Sequence, residues 1–230
     1  MIGSQTTTAK GASAAHSAMA VVARASGMLV AILLASVHVP ALAQSVAASA
    51  QQAPPPAELS AAFTAQLAGP GARVTIGETT LEFWWAKTIP GAKAGSGWSD
   101  VENGTFVGAL RVTGAFKDVR GKPVKPGVYT LRFGIQPQNG DHLGVSPNRE
   151  FLLLGPAASD RDARVLGFDG AVAIAKQTTG TSHPASLSID PPESDGAMLS
   201  SFTTEMGHSA VVFEGGGLKF GLILVGTIVH

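Results

Sequence analysis

Val124-Lys125-Pro126-Gly127-Val128-Tyr129-Thr130-Leu131-Arg132-Phe133-Gly134-Ile135 is the stretch whose reading decides the fold class. Pro126 presets φ, and Gly127 supplies a turn conformation that other residues resist. Leu131, Phe133 and Ile135 then alternate with Arg132 and Gly134, the period of a strand with one face buried. The order apolar-x-Pro-Gly-x-Tyr fits a tyrosine corner of Greek-key β proteins, in which the tyrosine folds back at an inter-sheet corner and its hydroxyl bonds a backbone group a few residues upstream. Tyr129 is the only tyrosine in the chain. An ordinary Pro-Gly turn with Tyr129 on the surface is the alternative.

Working outward, the same alternation recurs on both sides. Thr79 to Trp85 puts Leu81, Phe83 and Trp85 on one face, and Thr105 to Val112 alternates likewise. Strands are predicted at Val128 to Gln136, Arg149 to Leu154, Ser186 to Ile189, Phe202 to Glu205, Ala210 to Glu214 and Leu218 to Val229. Gly215-Gly216-Gly217 turns the last hairpin. Phe168 to Thr178 is predicted as a helix, capped by Asp169 and stopped by Gly180. The fold class that follows is all-β: an antiparallel, Greek-key-like β-sandwich of about seven to nine strands with one or two short helices.

The first 43 residues read differently. Lys10 and Arg24 are the only charges, an apolar run spans Met28 to Val37, and Pro40 precedes Ala41-Leu42-Ala43. That order is a secretory signal peptide cut after Ala43, which predicts a periplasmic or secreted protein. The alternative is a retained anchor, but the run is short against the roughly 20 residues of a spanning helix. Residues 44–72 are predicted as a low-complexity linker, Gln44 to Ala57, followed by a short helix between Glu58 and Leu67. Residues 73–230 form the single β-sandwich domain of this reading.

Composition excludes several functions. Lys+Arg and Asp+Glu both number 16, and two of the basic residues lie in the leader. No basic surplus remains to neutralise phosphates, so no nucleic-acid partner is expected. With no cysteine, there is no disulfide framework and no thiolate metal site. Leu218 to Val229 is apolar, but it is short, contains Lys219 and is β-branched, so no membrane span is expected after the leader.

Gly108 to Leu154 resembles an uncharacterised family of secreted bacterial proteins. The matching residues are Leu110-Arg111-Val112, Lys117-Asp118-Val119-Arg120-Gly121, Lys125-Pro126-Gly127-Val128-Tyr129-Thr130-Leu131-Arg132, Gly140-Asp141-His142-Leu143-Gly144 and Arg149 to Leu154. The resemblance implies a periplasmic β-sandwich and no known activity.

Two sets of residues carry candidate chemistry. Trp84 and Trp98 are the candidate ligand-binding pair. Adjacent strand residues point to opposite faces, so one of Trp84 and Trp85 is expected in the core and the other outside, and Trp98 sits in a glycine-rich loop. An exposed Trp84 with Trp98 would make a stacking platform for a carbohydrate or protein ligand in the cell envelope. Asp118, Asp141, His142, His183 and His208 are the alternative: loop imidazoles and carboxylates that could hold a zinc-like divalent metal for a hydrolase. No pair has local ligand spacing and no His-Glu-x-x-His occurs. The sequence therefore favours a non-catalytic binding or structural protein without a cofactor. Arg111, Arg132 and Arg149, with Asp118 and Arg120, are expected in structural ion pairs.

Overall fold

The computed structural model describes residues 45–93, 97–137, 148–191 and 196–226. The signal peptide predicted at 1–43 lies outside them, as do Asp141 and His142. The described chain is mostly β, with twelve strands and two helices. Ten of the strands form one antiparallel sheet.

In chain order these are β1 (Val46–Gln51), β2 (Gly71–Ile76), β3 (Thr79–Trp85), β4 (Phe106–Thr113), β5 (Phe116–Lys117), β6 (Pro123–Val124), β7 (Gly127–Ile135), β8 (Glu150–Pro156), β9 (Ser186–Asp190), β10 (Ser201–Thr203), β11 (Ser209–Gly215) and β12 (Leu218–Val225). The helices are α1 (Ala61–Thr64) and α2 (Gly167–Thr179). The sheet runs β1-β2-β3-β4-β7-β8-β9-β12-β11-β10, while β5 and β6 pair as a separate two-stranded hairpin. β4 bonds to β7 across the inserted β5–β6 hairpin, and β9 bonds to β12 rather than to β10; the other neighbours follow in sequence.

Two expectations are corrected here. The edge strands β1 and β10 approach one another, so the sheet is nearly closed and barrel-like, not a sandwich of seven to nine strands. Alternation reports one buried face per strand, and that is equally true of two stacked sheets and of one sheet curled on itself. The second correction concerns residues 44–72. Part of the expected linker is β1, paired along its length with β2 from Val46↔Ile76 to Gln51↔Gly71. Its small residues give no hydrophobic signal; the ladder to β2 supplies its order.

The interior is filled by one set of alternating residues. Register places Leu81, Phe83 and Trp85 beside Val112, Leu110 and Gly108, and these beside Gly127, Tyr129 and Leu131. Trp85 meets Phe213 and Phe220 edge-on, with ring centroids 5.1 and 5.0 Å apart. Gly108 is required by this packing, since a Cβ there would meet the Trp84 carbonyl oxygen at 2.5 Å.

Part of the outer face is also covered. α2 lays Ala171 and Ala175 on Phe151 and Leu153 of β8, and Thr178 donates to the Leu154 carbonyl. α2 ends at Gly180, in the left-handed region with φ +65°, as expected. Asp169 lies in its first turn, but the N-cap is Leu166, without a side-chain bond. The tyrosine corner forms: Tyr129 Oη donates to the Lys125 carbonyl at 2.6 Å, and the ring is buried. Burial also pushes the phenol above its ordinary value.

Candidate functional site

The turn between β5 and β6 brings two predicted site residues into one neighbourhood. Asp118 is fully buried, and its Oδ1 accepts the backbone N–H groups of Arg120 and Lys122 at 3.0 and 2.9 Å. This is the local bonding expected of an aspartate in a turn. Its Oδ2 accepts Nε of Arg120 at 3.2 Å and also Nη2. Arg120 Nη2 donates in addition to the carbonyl of Pro184, 64 residues further on. The hairpin is thereby tied to the loop that carries His183.

That loop is itself ordered by hydroxyls. Thr179 Oγ1 and Thr181 Oγ1 both donate to the His183 carbonyl, at 2.6 and 3.1 Å, and Thr181 Oγ1 accepts the His183 N–H. The His183 imidazole is left exposed. Between this loop, the hairpin and α2 lies a cleft of about 100 Å³. Phe168, Val172 and Lys176 reach it from α2, where a spacing of four keeps them on one face. Phe151 adds apolar wall, and Arg120 and His183 line it too. Its described lining thus contains an arginine, a lysine, a histidine and the amide of Gln136, and no carboxylate.

Arg120 is the informative group. A guanidinium has five N–H donors in a fixed fork. Those on Nε and Nη2 are engaged by Asp118 and Pro184. Nη1 has no partner among the described residues, and Arg120 lines the cleft although its side chain is only 5% exposed. A buried arginine held by a carboxylate and a carbonyl, with one nitrogen unspent, is pre-oriented to accept an anion.

The other predicted residues lie elsewhere. His208 is buried and packs against Gly226, and its Nδ1 has no hydrogen-bond partner among the described residues. Near it is a groove of about 600 Å³ lined by Asn148, Asp190, Thr204, Glu205 and Met206. Burial pushes the Asp190 carboxyl above its ordinary value; a hydrogen bond from Asn148 opposes the rise, Glu205 adds to it, and the electrostatic influence of His208 opposes it. Among the described residues no three His, Asp or Glu side chains are placed to hold one ion. Asp118 in particular has both oxygens committed.

The tryptophan platform is corrected. Trp84 does lie on the outer face, but it is fully buried there, with Nε1 donating to the Ala53 carbonyl at 2.9 Å. The segment leading into α1 covers it, so neither Trp84 nor Trp85 is exposed. Trp98 stacks on Phe133 at 5.2 Å and meets Phe220 edge-on, on the interior side of the sheet. The two rings are therefore on opposite faces and make no common surface.

Sequence reasoning names Arg120 only as an ion-pair member and gives Lys176, Phe168 and Val172 no role in a site. The stripe of spacing four on α2 was the available signal. The 64-residue link from Arg120 to Pro184 left none. Comparison with known proteins finds no matching family model, no matching curated protein and no matching solved structure.

Proposed function

We propose that this is an exported, non-catalytic binding protein of the cell envelope, and that the cleft between α2 and the β5–β6 hairpin takes a small carboxylate with an apolar substituent. The observation that carries the reading is the unspent Nη1 of buried Arg120 beside Phe151, Phe168 and Val172. Lys176 at the rim adds positive charge, and the His183 imidazole adds a further polar group. The volume of about 100 Å³ suits a branched short-chain acid better than a sugar ring or a peptide segment. Export rests on the leader order. The metal-dependent hydrolase draws no support from the positions of Asp118, His183 and His208.

The test is titration of the isotopically labelled protein with isovalerate and with isovaleramide, its neutral counterpart. Saturable amide shifts at Phe168, Val172 and Ser186 are expected with the acid alone, with a dissociation constant of about a millimolar for so few heavy atoms. Equal shifts with the amide, or none with either, reject the site. Export is tested by N-terminal sequencing of the processed protein, which is expected to begin at Gln44.

A further inference from the structure

On the other side of the β5–β6 hairpin lies a second, larger cavity, and we infer that it binds a single-tailed amphipathic anion. Its volume is about 690 Å³, within the roughly 300–1,000 Å³ of small-molecule sites, and it sits where the ends of β2 and β12 meet the hairpin. Ile76, Phe116, Val124 and Leu224 line it and belong to the continuous apolar core. Its floor is therefore the end of the barrel-like interior. Lys117 and Lys125, both exposed, are the charged residues of its described lining, and no carboxylate accompanies them. An apolar floor under a cationic rim is complementary to an aliphatic tail with an anionic head.

The walls are fixed before any ligand arrives. The Tyr129 hydroxyl holds the Lys125 carbonyl, Thr79 Oγ1 donates to the Ala115 carbonyl at 2.6 Å, and Phe116 pairs with Val124 across the hairpin. Pro123 and Pro126 stiffen the same wall. Such pre-organisation lowers the ordering cost of binding. The site is distinct from the cleft of Arg120, which faces α2.

Calorimetric titration of the purified protein with dodecanoate and with dodecyltrimethylammonium, both below micelle formation, tests this. Dodecanoate is expected to saturate one site, at least about tenfold tighter than the cation. The double substitution Lys117→Glu/Lys125→Glu, at exposed positions that leave the fold intact, is expected to weaken dodecanoate about tenfold. Lys176→Glu, at the other cleft, is expected to leave it unchanged. Absence of saturable binding, equal affinity for the two detergents, or loss with Lys176→Glu in place of the rim lysines overturns the assignment.

Discussion

Two buried arginines, each paired with an aspartate, behave differently in this protein. Arg132 spends every donor: Nε and Nη2 on Asp160 at 2.6 and 2.8 Å, Nη1 on the carbonyls of Gly104 and Arg164, and Nη2 also on the carbonyl of Asp162. Its guanidinium carbon lies 5.4 Å from the centroid of the Phe63 ring, and Asp160 accepts Thr130 Oγ1 as well. Arg120 is nearly as buried, yet holds one nitrogen in reserve beside an apolar cleft. The pair chemistry is the same. What separates a structural arginine from a recognition arginine is whether the fold itself fills all five donors.

Exchanging each arginine for methionine breaks or keeps this distinction. Arg132→Met leaves Asp160 charged, buried and without its partner, and strips the orphaned carbonyls of Gly104 and Asp162. The expected loss is about 3–5 kcal/mol by urea denaturation. Arg120→Met is expected to lose less, about 1–3 kcal/mol, because two backbone N–H groups still hold Asp118. It should abolish isovalerate binding entirely. Equal stability losses, or a binding cleft that survives Arg120→Met, would remove the contrast.

Tyr129 sharpens the comparison from the hairpin side. Tyr129→Phe deletes the donor to the Lys125 carbonyl at an expected cost of about 1–3 kcal/mol. The damage should be local. Amide exchange is expected to accelerate in residues 116–124, which carry Arg120, and to stay slow around Asp160. An unchanged denaturation midpoint would show that water replaces the phenol without cost.

How much of this was legible in the sequence follows from the range of each signal. Local patterns were read well: β3 has the predicted bounds Thr79–Trp85, Gly216 and Gly217 turn the last hairpin with positive φ, and Gly180 stops α2. The corner at Tyr129 was legible because its partner is four residues away. Weak or distant signals were not. β1 is Ala- and Ser-rich, β5 and β6 are two residues each, and near-closure of the sheet depends on edges far apart in sequence. Alternation shows that Trp84 and Trp85 face opposite ways but not that Trp84 is covered, because its cover comes from Ala53, 31 residues upstream. For the candidate site, Asp118 and His183 stand out by residue type, but Arg120, beside Asp118 in sequence, reaches the His183 loop only through a contact spanning 64 residues.

Asp190 provides the smallest effect and the limiting case of the comparison: a part-buried carboxylate with no arginine or lysine in ion-pair reach among the described residues. Burial raises its affinity for the proton in the folded state above the ordinary value of 3.8. A raised folded value means that this group's contribution is fully present below the unfolded value and is lost as pH rises through the folded one. At neutral pH the ionised carboxylate therefore costs stability. Asp190→Asn, which keeps an oxygen to accept from Asn148, is expected to raise the denaturation midpoint modestly at pH 7. The gain should shrink as pH falls through the folded value and vanish at pH well below 3.8, where both variants are neutral. A gain that persists unchanged into acid would mean that packing around residue 190, and not its charge, sets the effect. A loss at pH 7 would mean that His208 already serves Asp190 as the arginines serve their partners.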